Sequence, residues 1–287
     1  MTAATSTTFK AQQAARSDYG SQFEILVSVL YNQIVKFGDV VVDGGANAGL
    51  HAVPLGDLVG SRGLVIAFEP NPDVFRGLRD NMADLAAELH LLALSDTEGT
   101  LSFVVDIKNP ALSHIQHDFD RPSEGRKLIS VRSVLLDKIV AGRKITFIKL
   151  DLEGADFLGI RGAKATLLRD RPPIIFENSR VWAAKCNGYT MEAFFAFFDE
   201  IKYDIYDLHG VALTKDNWTD EDVAFEFIAL PRENADKNRH LLAVIDYFWR
   251  EIDKRPVLPT WAACVLAARN ARKYMVDNHG RNWLSGL

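Results

Sequence analysis

Asp39-Val-Val-Val-Asp-Gly-Gly-Ala-Asn-Ala-Gly49 is the stretch that decides the fold. Three consecutive β-branched residues, Val40 to Val42, run into an acid, two glycines, a small polar loop and a third glycine. This reads as a buried parallel strand that turns tightly into a helix, the ligand-binding corner of a doubly wound sheet. Gly44 and Gly45 remove Cβ atoms from the turn, so that a ligand is expected to lie against the main chain. Asp43 at the strand end suits an amine or a hydroxyl, whereas it repels a phosphate.

Outward from this corner the pattern alternates. Phe23, Leu26, Val27, Leu30 and Ile34 recur at helical spacing and predict an N-terminal helix over 21–35. Downstream, strands are expected at 64–69, 90–94, 145–151 and 173–177, with helices at 49–59, 70–86, 155–168 and 190–201 between them. Thr100 to Val105 alternates polar and apolar residues, and 129–136 is partly strand-like. Residues 203–207 and 224–230 are expected as an antiparallel pair. The expectation is an α/β fold: a doubly wound, mostly parallel, seven-stranded sheet with helices on both faces. The phenylalanine-rich segment 191–198 reads as packing. After Pro231 the composition shifts to a helical stripe of Leu241, Val244, Ile245, Phe248 and Ile252, followed by a second helix at 260–277. The expected organisation is a flexible leader over 1–20, a catalytic domain over 21–231 and a helical extension over 232–287 that caps the site or pairs a homodimer.

The 287-residue chain is 48% apolar, enough for a sizeable core, and its formal charge of −5 offers no general attraction for nucleic acid. Its cysteines, Cys186 and Cys264, are far apart and form no metal-ligand pattern. Met1 to Arg16 lacks the apolar core of a signal peptide, and no apolar run is long enough to span a membrane. A cytoplasmic location is expected.

A dinucleotide fingerprint requires glycine at 44, 46 and 49, and Ala46 breaks it. The acid expected at the end of the second strand is present as Glu69, where a carboxylate can take both ribose hydroxyls. A ribose site without a diphosphate cradle favours S-adenosylmethionine. A nicotinamide-dependent oxidoreductase is disfavoured by Ala46 and by the lack of a Tyr-x-x-x-Lys pair near the site. The remaining alternative is a relative that binds the cofactor without chemistry, but such a protein should lack the acids at 151, 153 and 177.

Asp43-Gly-Gly-Ala-Asn-Ala-Gly49, Phe68-Glu-Pro-Asn-Pro72, Leu92-Ala-Leu-Ser-Asp96, Lys149-Leu-Asp-Leu-Glu-Gly154 and the closing Phe227-Ile-Ala-Leu-Pro231 resemble the ordered motifs of FkbM-type methyltransferases. The resemblance covers roughly 21–231. The chain departs from that pattern at Asp156, where the family often has glutamate, and in its tail. The resemblance implies a class I, Rossmann-like, S-adenosylmethionine-dependent fold and O-methylation of a hydroxyl on a sugar, glycolipid or secondary metabolite. On this reading Asp43, Gly44, Gly45, Asn47 and Gly49 hold the methionine portion, Glu69 and Pro70 the ribose side, and Ser95 and Asp96 the adenine.

A base must take the acceptor's proton. Asp151 and Glu177 have the right position at strand ends, and His114, in the loop 107–126, has a suitable intrinsic pKa. Glu153 is a further candidate with the equal alternative of capping a backbone amide or holding Lys149. The remaining histidines, His51 among them, have no comparable placement. Asp151, Glu177 and Asn178 also resemble the set that holds Mg²⁺ in catechol-type O-methyltransferases, oxygen ligands suited to a hard cation.

Overall fold

The Val40–Val42 run forms β1 (Val40–Gly44), which lies between β2 (Leu64–Phe68) and β8 (Phe147–Leu150) and pairs with both in parallel. The computed structural model describes residues 19–118, 120 and 123–254. Successive residues of β1 face opposite sides of the sheet. Val42 joins a core with Ile66, Leu150 and Phe176, and Val41 joins a second core with Val65, Phe147 and Ile175. Both faces are therefore covered, which is why these strands read as unbroken apolar runs.

The main sheet has seven strands in the order β10-β11-β9-β8-β1-β2-β3, completed by β3 (Ala87–His90), β9 (Ile174–Glu177), β10 (Tyr203–Asp207) and β11 (Glu226–Pro231). All pairings are parallel except those of β11, which is antiparallel to both β9 and β10. The doubly wound α/β expectation is met, as is the antiparallel closing pair.

Helix α1 (Tyr19–Ile34) packs on one face, and Phe23, Leu26 and Leu30 share its core with Leu241, Val244, Ile245 and Phe248 of the long helix α9 (Ala235–Lys254). Leu241, Val244, Ile245 and Phe248 of the expected apolar stripe are thus covered within the chain by α1. Trp249 Nε1 also donates to the Leu208 carbonyl at 2.6 Å, tying α9 to the end of β10. The leader up to residue 18 and the helix expected at 260–277 lie outside the described residues. On the other face, Phe194 and Phe198 of α8 (Met191–Ile201) pack on Phe157 and Phe176, so the phenylalanine-rich segment is core. Thr190 caps this helix by accepting the Ala193 N–H at 3.2 Å.

Several boundaries differ from the sequence expectation. The strand expected at 90–94 divides: β3 stops at His90, and Ala93–Leu94 form β4 in a second sheet. That sheet, ordered β4-β7-β5-β6, adds β5 (Gly99–Asp106), β6 (His114–Ile115) and β7 (Arg126–Val134). It has its own small core of Ala93, Phe103, Val105 and Val131, which explains the one-sided alternation of 100–105. The helix expected at 155–168 is two short helices, α5 (Asp156–Arg161) and α6 (Lys164–Asp170). They break at Gly162, whose backbone lies against the Ser95 carbonyl so closely that a Cβ would sit 2.1 Å from its oxygen. Helices α2 (Ala52–Val59) and α3 (Pro72–Asn81) are shorter than expected, the single turn α4 (Leu136–Ile139) follows β7, and α7 (Val181–Asn187) follows β9.

Candidate active site

The carboxyl ends of β1, β2 and β8 converge below a cavity of about 320 Å³, a volume in the range of small-molecule sites. Its floor is the turn after β1. The N–H groups of Gly45 and Ala46 both donate to the Phe68 carbonyl at 2.9 Å, and Asp151 N–H donates to the Gly44 carbonyl at 2.9 Å. Gly45 has φ +73°, and a Cβ there would lie 1.8 Å from the Asp151 carbonyl oxygen. The glycine is required because two backbones touch, not only to admit a ligand. Gly44 likewise packs on the side chains of Leu150 and Leu94.

Glu69 secures the rest of the turn. Its Oε2 accepts the Asn47 N–H at 3.0 Å and its Oε1 accepts the Asn71 N–H at 2.7 Å. Asn47, at φ +49°, is held in a left-handed conformation by this bond. Burial pushes the Glu69 carboxyl up to about 7 against those two hydrogen bonds, and each oxygen keeps a lone pair for the cavity. Glu69, Pro70, Gly45 and Asn47 all line it.

Behind the turn, Asp43 is fully buried and neither carboxylate oxygen has a hydrogen-bond partner among the described residues. Burial raises its pKa, and Lys149 and then His51 oppose the rise. Lys149 reaches Asp151 Oδ2 at 3.1 Å. Burial acts to lower its ammonium pKa, but the carboxylates of Asp151 and Asp43 outweigh it, so the lysine stays charged. His51 lines the same cavity and meets Glu24 Oε2 of α1 through Nε2 at 2.6 Å.

Asp151, Glu153 and Glu177 gather at the ends of β8 and β9, with carboxylate oxygens within 4.8 Å of one another. Burial, then the Asp151 charge, pushes Glu153 up to about 7 and Glu177 up to about 10. Asp156, whose carboxylate accepts the Leu152 and Glu177 N–H groups, is raised to about 8 by burial and then by Asp151, as is Glu226. Glu153, Glu177, Asp156 and Glu226 lie above their unfolded values, so the folded chain holds more protons than the unfolded chain at neutral pH. Their stabilising contribution is full in acid and is lost as pH rises through about 7 to 10. The midpoint of thermal unfolding of the free protein should therefore fall by about 5 °C or more between pH 6 and pH 9, since each extra proton held is worth about 1.4 kcal/mol per pH unit, less screening. A midpoint that rises over this interval contradicts the assignment.

Some expected site residues stand elsewhere. Gly49 faces Val53 and Leu78, away from the cavity. Asp96 is ion-paired with Arg161, and Ser95 is buried beside it; neither lines the cavity, whose wall there is Leu92, Ala93 and Leu94. His114 lies on β6 between Ser113 and Ile115, which do line it, while the His114 imidazole meets Asp120 instead. Asn178 is fully buried, its amide donating to Tyr189 Oη at 3.0 Å and accepting the Arg180 N–H at 2.6 Å. Of the expected Mg²⁺ set, Asp151 and Glu177 come together while Asn178 is engaged elsewhere, and Lys149 holds one of the two Asp151 oxygens. Conversely, Glu153 enters the cavity wall at φ +51°, a strained conformation for glutamate, and Lys149, His51 and Glu24 join it. The i, i+2 alternation of Lys149 with Asp151 on the strand end was the available signal for the lysine.

The sequence model of the Methyltransferase FkbM domain matches residues 43–205, more than half of the chain. Among solved structures the chain is similar to the FkbM methyltransferase of Methylobacillus flagellatus KT, at 14% identity and a TM-score of 0.43, over 69% of this chain and 49% of that one. It spans about half the length of that relative. It is also similar to Aeropyrum pernix fibrillarin in complex with S-adenosyl-L-methionine, at 15% identity and TM-score 0.38, over 68% and 67% of the two chains. A Thermotoga maritima S-adenosylmethionine-dependent O-methyltransferase aligns at 13% identity and TM-score 0.37, over 69% and 60%. No curated protein matches the chain. The matched span opens on Asp43 and takes in Glu69, Asp151 and Glu153, and it places this chain in the FkbM methyltransferase family.

Proposed function

We propose that the chain is an S-adenosylmethionine-dependent O-methyltransferase acting on a hydroxyl of a sugar, glycolipid or secondary metabolite. The observation that carries this reading is the charge of the cavity. Glu24, Glu69, Asp151 and Glu153 line it together with the basic Lys149 and His51, and Asp43 lies behind its floor with no hydrogen-bond partner among the described residues. Such a site suits a ligand bearing ammonium and sulfonium charges and repels a diphosphate.

When bound, S-adenosylmethionine supplies a methyl group already activated on sulfur. Asp43 would neutralise the ammonium, the Gly45–Asn47 turn would receive the methionine portion, and Glu69 would accept from the ribose hydroxyls. Pro70 and Leu92 offer apolar wall to the remainder. Asp151, fixed by Lys149, would orient the acceptor hydroxyl, and Glu153, poised at about 7, would take its proton. Glu177, raised to about 10, retains its proton at neutral pH and serves as a hydrogen-bond donor to Asp151 or the acceptor.

The test uses donor labelled with ¹³C in its methyl group, incubated with the protein and metabolite extract of the source organism. A product whose carbon shift is that of a methoxyl supports the reading. Label on nitrogen or carbon refutes O-methylation while leaving methyl transfer intact, and no label in any product refutes both.

A further inference from the structure

We propose that His114, His117 and Asp120 form a binding site for a divalent transition metal of the zinc type, outside the main cavity. One ligand atom from each residue lies within 4.8 Å of the other two. All three side chains are largely enclosed, at 14%, 3% and 10% exposure, so the cluster is not a solvated surface patch.

The tautomer of His114 is settled by its neighbours. Nδ1 lies 2.9 Å from the Leu112 carbonyl oxygen, which can only accept, so Nδ1 carries the hydrogen. Nε2 then faces Asp120, 3.3 Å from each carboxylate oxygen. Between that nitrogen and the carboxylate must lie a proton or a metal ion. A backbone carbonyl that fixes one ring nitrogen and frees the other is the usual support of a metal-ligating histidine. Asp120 is oriented in the same way, because its Oδ2 accepts the His117 N–H at 2.7 Å.

Distances favour a metal over a bare proton. A charge-assisted hydrogen bond between imidazolium and carboxylate closes to about 2.7–2.9 Å. Ligand atoms on a tetrahedral zinc ion with bonds of about 2.0–2.1 Å stand about 3.3–3.4 Å apart, and the 3.3 Å separation matches that edge. His117 Nδ1 is 3.9 Å from Asp120 Oδ2 and needs only a small rotation to close the third edge. Its ring is stacked on that of His114, with centroids 5.2 Å apart and planes 15° from parallel. Two imidazoles and a carboxylate leave the fourth position to water or to another ligand.

The position gives the site a purpose. Ser113 and Ile115, flanking His114, line the main cavity, whereas His117 meets the edge of Trp182 on α7 at 5.5 Å. A metal on the triad would pin the β5–β6 wall of the cavity to the helix that follows Glu177.

The 287-residue chain, stripped by chelator and dialysed, is titrated with Co²⁺. One equivalent should bind and give the visible bands of tetrahedral cobalt, displaced by Zn²⁺. His114→Ala and Asp120→Asn should each weaken binding by about tenfold or more, whereas the Glu153→Gln/Glu177→Gln variant should keep the equivalent, which separates this site from the acids of the cavity. Absence of the bands in the unmodified protein overturns the proposal, as does their persistence in the His114→Ala/His117→Ala variant. X-ray absorption on the zinc-loaded, unmodified protein must show two imidazole ligands, a result that does not depend on whether any variant folds; fewer than two overturns it.

Discussion

Asp43→Asn is expected to weaken binding of S-adenosylhomocysteine by about 30-fold or more while leaving the free protein as stable as before, or more so. The substitution keeps shape and volume but removes a charge that is fully buried and has no hydrogen-bond partner among the described residues. Burial raises the folded pKa of this carboxyl above its unfolded value, so in its ionised state it opposes folding above the unfolded value, and an amide relieves that opposition. A bound ammonium would supply the missing partner. Removing one member of a buried charge pair costs about 2–5 kcal/mol, which corresponds to the affinity loss given. Calorimetry with S-adenosylhomocysteine and a thermal melt check the two halves. Unchanged affinity removes Asp43 from the binding site, and a large drop in melting temperature assigns it to holding Lys149 instead.

Glu153→Gln should lower kcat by about 10²- to 10⁴-fold, the usual worth of a general base, with S-adenosylhomocysteine affinity nearly unchanged. The carboxyl of the free protein lies near 7, raised by burial and then by Asp151, so kcat/KM of the unmodified protein should fall on the acid side of about pH 7. That limb should vanish in the Glu153→Gln variant. Asp151→Asn should also lower kcat, because it breaks the 3.1 Å contact with Lys149 that aligns the carboxylate. It should, however, retain an acid limb, shifted downward because one of the charges that raise Glu153 has gone. The measurement is kcat/KM against pH on the acceptor found with labelled donor. A limb that survives in Glu153→Gln and disappears in Asp151→Asn reverses the two roles.

The main sheet was readable because burial on both faces leaves a continuous apolar signature in β1, β2, β8 and β9. The second sheet was not. Ala93–Leu94 continue the run of β3 in composition, and only the pairing of Leu94 with Val134 takes them into another sheet. The turn was equally legible, since Gly45, Asn47 and Glu69 sit at the strand-end offsets that recur in doubly wound sheets. Residues engaged by partners outside that recurring pattern were not. Nothing near Asp96 announces Arg161, and nothing near Asn178 announces Tyr189. His114 is captured by Asp120, six residues on, through a fold of the loop that no periodicity encodes. The place of Glu153 in the cavity wall was not legible, because it depends on a left-handed backbone that the sequence signals only through the adjacent Gly154.

The central claim is that the acidic cavity above β1 holds an adenosine cofactor without a diphosphate. Calorimetric titration of the folded protein with S-adenosylhomocysteine and, separately, with NAD tests it most directly. The structure predicts saturable one-to-one binding of S-adenosylhomocysteine and no heat from NAD at the same concentrations. Failure of the first, or NAD binding that S-adenosylhomocysteine displaces, would contradict it.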